Sequence, residues 1–127
     1  MNENIKEGLT HSFEMEVKHE HSAISLGSGY LPVFGTPFMI ACMEQAAAKA
    51  TEHLLDEGYT TVGILVNVSH LAATPIGGRV TSTAKLIKVD RSKLVFEVHA
   101  KDEKGDIGKG THERFIVNTE KFMNKLK

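Results

Sequence analysis

Cysteine and tryptophan are almost missing from this 127-residue chain, which holds a single Cys, Cys42, and no Trp. One thiol can neither close an internal disulfide nor build a multi-cysteine zinc site, so the composition suits a reducing interior. Neither sign of charge prevails: 15 Lys and Arg stand against 16 Asp and Glu, a formal net charge of −1. That balance excludes a broad phosphate-backbone footprint, which runs on clustered Lys and Arg, and removes nucleic acid as an expected partner. Long apolar runs are absent too. The longest, Phe38 to Met43, falls far short of the roughly 20 residues of a membrane-spanning helix. The opening Met1–Gly8 segment is polar and acidic, unlike a secretory signal. The expectation is a cytoplasmic protein without a membrane partner.

What is present suits a folded chain. Counting the 11 Gly with the 41% hydrophobic residues brings the apolar share to about half, a usual figure for globular proteins. Residues 1–127 are read as a single domain, with no internal repeat or linker.

One helix stands out. Thr36-Pro37 reads as its start, with Thr36 capping the free first-turn amides, and Gly58 reads as its stop. That interval is about 21 residues, roughly 31 Å of helix. Gln45, Lys49, Glu52 and Asp56 fall in one polar stripe, with Ile40, Met43, Ala47, Thr51 and Leu54 opposite. Most of the circumference is apolar or small, which predicts a helix covered by a sheet over a wide arc. Elsewhere the period is two. Strands are expected at Ser12 to Val17, Thr60 to Leu71, Arg79 to Asp90 with a bulge near Leu86-Ile87, Lys93 to Lys101, and Ile107 to Asn118. The last four are joined by short turns, so the sheet is antiparallel and the fold class α+β.

Several residues could carry chemistry. Glu44 lies off the polar stripe of the helix, so it is expected to be partly buried. A carboxylate there is either an acid–base group or a boundary residue reaching solvent. His70 continues the face of Val62, Ile64, Val66 and Val68 if the strand is regular, which turns it toward the helix and lets it meet Glu44. It is a general base or acid, or a core histidine held by a carbonyl. Thr36 offers a hydroxyl beside free helix amides that favour a developing oxyanion. Gly63 admits a carbonyl close to its amide or marks a bulge, and Arg114 grips an anion or lies on a strand surface. His19 and His21 form half a metal site that nothing completes. Cys42, beside Met39 and Met43, reads as a packing thiol. Gly27-Ser28-Gly29 makes the approach to the helix a flexible candidate lid.

Three blocks taken together carry a resemblance: Thr36-Pro37-Phe38-Met39-Ile40-Ala41-Cys42-Met43-Glu44, Gly63-Ile64-Leu65-Val66-Asn67-Val68-Ser69-His70-Leu71-Ala72-Ala73-Thr74-Pro75, and Gly110-Thr111-His112-Glu113-Arg114. In spacing and content they resemble the fluoroacetyl-CoA thioesterase group of the hotdog-fold superfamily. The resemblance implies a long central helix wrapped by a curved antiparallel sheet. It implies a homodimer, with tetramers left open, whose acyl-CoA sites lie near the subunit interface. It implies thioester hydrolysis with no metal and no cofactor beyond the coenzyme A of the substrate. By position Thr36, Glu44 and His70 match the group's catalytic residues, and Gly63 and Arg114 its substrate contacts. Tyr30 falls where a lid aromatic stands, with Phe34 following it, but small residues replace the other lid aromatic, so selectivity for fluoroacetate is not implied. A non-catalytic acyl-CoA-binding or sensing protein and a hotdog dehydratase or hydratase are the alternatives.

Overall fold

The computed structural model describes residues 3–127. The chain runs through β1 (Thr10–Glu16), a short helix α1 (Ala23–Leu26), the long helix α2 (Thr36–Thr51), β2 (Tyr59–His70), β3 (Arg79–Asp90), β4 (Lys93–Asp102), β5 (Gly105–Asn118) and a closing helix α3 (Thr119–Asn124). All strands pair antiparallel in the order β1-β3-β4-β5-β2, so β1 and β2 are the edges. Tight turns make this order: Asp90 pairs with Lys93 and Asp102 with Gly105. Arg91 takes the left-handed conformation, φ 57°, that the first turn needs.

Both ends of α2 differ from the reading of the sequence. Gly35, not Thr36, is the N-cap; its carbonyl accepts from the Phe38 and Met39 amides, each at 3.0 Å. Thr36 already belongs to the first turn, which frees its hydroxyl from capping. The helix stops at Thr51 and tightens into a 3₁₀ turn over Glu52–Leu54, so it is 16 residues long rather than reaching Gly58. The tightening lets Leu54 and Leu55 pack back against the core. Gly58 does take a positive φ of 87°, but in the turn entering β2.

Burial follows the helical period. Met39, Cys42, Met43, Ala46, Ala47 and Ala50 form an i, i+3, i+4, i+7 stripe of buried side chains. The stripe rests chiefly on β3 and β1, and shares one buried core with Val80, Ala84 and Leu86 of β3 and Leu94, Phe96 and Val98 of β4. Its alanines let helix and sheet approach closely. The sheet therefore covers one side of α2 and leaves the β2 margin open, where Ile64 and Val66 are 51% and 41% exposed.

The expected bulge in β3 is present between Leu86 and Lys88. A second lies between Gly63 and Leu65 in β2, at the glycine for which a bulge was one of two readings. It shifts the alternation, so the apolar positions of β2 do not share one face. Val62 pairs with the exposed Phe115, whereas Val66, Val68 and His70 pair with His112, Gly110 and Gly108 on the inner face. His70 thus points inward, as the sequence suggested, but on a strand whose register changes midway.

Candidate active site

The start of α2 lies beside the end of β2, and there Thr36 Oγ1 and His70 Nδ1 are 2.7 Å apart. The contact borders a cavity of about 320 Å³ lined also by Ala23, Ser28, Val33, Phe34 and residues 71–73. Phe34 is buried and sets its ring edge-on to His70, with centroids 6.4 Å apart. Burial holds the imidazole below its ordinary value of 6.5, and the Ala72 backbone offsets this only in part. At neutral pH the ring is therefore uncharged and able to take a proton. Its Nε2 is buried without an aligned hydrogen-bond partner. The first turn adds a free donor, because the Gly35 amide goes to His21 O, Pro37 has none and Phe38 bonds Gly35 O. Among the described residues the Thr36 amide has no such partner. It carries the positive end of the helix dipole next to the hydroxyl.

Glu44 sits two turns further on, about 12 Å along the helix axis. Its Oε2 is 3.4 Å from Arg114 Nη1 and 4.0 Å from His112 Nε2. The Arg114 fork is buried and fixed: Nε donates to Thr61 Oγ1 at 2.9 Å and Nη2 to Thr61 O at 3.0 Å. Burial pushes its pKa down and the Glu44 carboxylate pushes it back up. A guanidinium so placed stays charged and pairs with Glu44. Gly63 completes this group by what it omits, since a Cβ on it would stand 2.6 Å from Glu44 Oε2.

The expectation that Glu44 and His70 meet is not met within one chain. They share neither a hydrogen bond nor an ion pair; Thr36 partners His70, and Arg114 partners Glu44. Two groups stand at two points along α2, because the carboxylate lies eight positions beyond the threonine. Arg114 is not a surface arginine. Tyr30 is 94% exposed and off the cavity, whereas Phe34 lines it. Cys42 is a buried thiol pushed up to about 12 by loss of solvent. His21 is occupied: its Nδ1 accepts the Lys18 amide at 2.9 Å and its ring lies 4.3 Å from that of Phe38. Sequence reasoning passed over His112 and Thr61. His112 was within reach of it, since it alternates with Arg114 along β5 and so faces the same way.

The chain is similar to known proteins in both sequence and fold. The family model described as fluoroacetyl-CoA-specific thioesterase matches residues 14–120. The fluoroacetyl-CoA thioesterase of Streptantibioticus cattleyicolor is 36% identical over 127 residues, covering 97% of this chain and 91% of that protein. The solved fluoroacetyl-CoA thioesterase FlK superposes with a TM-score of 0.92 at 34% identity, covering 96% of this chain and 95% of the other. A point mutant of FlK in complex with fluoroacetate and CoA gives a TM-score of 0.86 at 34% identity, covering 93% and 99%. A hot-dog-like protein from Thermanaerovibrio acidaminovorans gives 0.89 at 25% identity, covering 98% and 93%. With a hotdog fold, and with a matched region that includes the Thr36–His70 and Glu44–Arg114 groups, the chain belongs to the fluoroacetyl-CoA-specific thioesterase family.

Proposed function

We propose that the protein hydrolyses compact acyl-CoA thioesters to the carboxylic acid and free CoA, as a cytoplasmic homodimer whose sites draw on two copies. The observation that carries this is the 2.7 Å contact between Thr36 Oγ1 and a neutral His70 Nδ1 at the cavity. His70 takes a proton from the Thr36 hydroxyl, or from a water held there, as the acyl carbonyl is attacked. The Thr36 amide at the helix start faces the oxyanion that develops, and the proton on His70 passes to the departing CoA sulfur. Glu44, held by Arg114, orients the attacking group. No cofactor other than the substrate's own CoA takes part, nor does a nucleic acid or a membrane. The cavity walls, Phe34 and small residues such as Ala23 and Ser28, favour compact acyl chains.

The dimer is supported by the open edge of β2. Ile64, Leu65, Val66 and Leu71 are 51%, 43%, 41% and 55% exposed along a strand paired with β5 on one side only, a pattern that invites another strand. Antiparallel pairing of two β2 edges about an axis near the middle of the strand would bring the Gly63 end of each copy alongside the His70 end of its partner. Glu44, beside Gly63, then joins the Thr36–His70 pair of the other chain, and the two groups become one site.

A panel of acyl-CoA esters, read by a thiol reagent and by mass analysis of the acyl product, tests the reaction. Free thiol and acid in equal amounts are expected. Binding without thiol release identifies a sensing protein instead, and an enoyl or hydroxyacyl product with its thioester intact identifies a dehydratase or hydratase. Mass analysis of the quenched enzyme separates the two forms of attack: an acyl adduct on Thr36 marks it as the nucleophile, and an unmodified chain marks attack by water.

A further inference from the structure

His112 is the largest buried group of the site to which no role has yet been given. It is 1% exposed on β5, stacked on Phe96 with centroids 6.5 Å apart. Its two nitrogens are both engaged. Nδ1 lies 2.7 Å from Leu65 O, the carbonyl just past the bulge in β2, and Nε2 lies 3.2 Å from Arg114 Nη1. A carbonyl only accepts and a guanidinium only donates. Nδ1 must therefore carry the proton, and Nε2 must offer its lone pair. Both contacts hold only for the neutral Nδ1–H form.

From this geometry we infer that His112 is a positioning residue for thioester hydrolysis: a neutral imidazole that ties the β2 bulge to the Arg114 guanidinium and thereby fixes Glu44. Three parts depend on one another. The bulge brings the Leu65 carbonyl within reach of Nδ1 and sets Gly63 beside Glu44 Oε2. His112 holds Nη1 from one side while Thr61 holds Nε and Nη2 from another, leaving Nη1 turned to Glu44. The charged groups that face the ring are Glu44 from α2 and Arg114 and Glu113 from β5. Loss of solvent, aided by the Arg114 charge, keeps the ring below its ordinary value of 6.5 against the Leu65 hydrogen bond and the carboxylates of Glu44 and Glu113, which pull the other way. The inference rests on the reading that Glu44 belongs to the site.

The test uses the full-length protein with acetyl-CoA as the probe, well below each variant's melting temperature. In His112→Gln the side-chain carbonyl reaches the place of Nε2 and still accepts from Arg114. In His112→Asn the amide reaches only the place of Nδ1 and can serve Leu65 but not Arg114. His112→Asn is expected to lose about 10- to 100-fold in kcat, with a smaller change in KM, while His112→Gln stays within a few fold of wild type. In a Glu44→Gln background the His112→Asn loss is expected to vanish, since the two act through one contact chain. Equal losses in the Gln and Asn variants, or a loss that persists undiminished in the Glu44→Gln background, would overturn the inference. A Glu44→Gln variant with wild-type turnover would instead remove the underlying reading of Glu44. Nitrogen NMR of wild-type histidines at neutral pH provides a check free of folding defects. The Nδ1–H tautomer for His112 is expected, and the Nε2–H tautomer or the imidazolium contradicts the proposal.

Discussion

Glu44 owes its position to the empty space beside it. A methyl group on Gly63 would stand 2.6 Å from the carboxylate oxygen, closer than real contacts allow, yet that oxygen ends a flexible side chain. Gly63→Ala is therefore expected to displace Glu44 from Arg114 and lower kcat about tenfold or more while thermal melting changes little. Steady-state kinetics together with a melting curve checks both halves. Truncating the reacting groups themselves has a larger effect. Thr36→Ala, His70→Ala and Glu44→Ala are each expected to cut kcat by about 10² or more with native circular dichroism retained. Wild-type turnover in a folded variant would strip that residue of its role. Thr36 is informative because its hydroxyl is not spent on capping: Gly35 takes the cap, and the hydroxyl goes to His70 at 2.7 Å.

The strands carry the parts that the sequence disclosed least. Gly110 sits in β5 at φ 159°, and a Cβ there would run into the Asn67 and Val68 backbone of β2. Backbone cannot move aside as a side chain can. Gly110→Ala is expected to destabilise the fold by about 2 kcal/mol or more, read as a lower denaturant midpoint. The existence of β1 to β5, their turns and the bulge in β3 were legible, because each follows from period-two patterning closed by Gly, Asp and Ser. The buried stripe of α2 was legible in its residue types. Two things were not. Gly63 allowed a bulge, but the change of facing it causes was hidden, because it inserts Ile64 into an unbroken apolar run that reads the same in either register. The end of α2 at Thr51 is set by Leu54 and Leu55 turning back to the core, a tertiary demand that outweighed the stop signal at Gly58. Glu44, Arg114 and His70 could be singled out by position, but which of them touch depends on that bulge and on eight residues of helix between Thr36 and Glu44.

Two histidines couple the whole fold to pH. His70 and His112 both lie below the ordinary value of 6.5 because burial disfavours their charged forms. The unfolded chain therefore binds protons that the native one refuses, so their contribution is complete above about pH 6.5 and is lost as pH falls below it. Urea unfolding is expected to show a lower midpoint at about pH 5 than at about pH 7.5. Equal midpoints would mean that neither ring is held neutral by its surroundings. At the scale of the whole molecule, one copy holds two separate groups, Thr36–His70 and Glu44–Arg114, which the proposed function completes only across two copies. Pairing of the β2 edges would join the first group of each chain to the second group of its partner. A purified heterodimer of one Glu44→Ala chain and one His70→Ala chain decides the matter. One composite site then keeps both groups while the other loses both, so turnover about half that of the wild-type dimer is predicted from two parents that are each inactive. A heterodimer as inactive as its parents would show that each site is contained in a single chain.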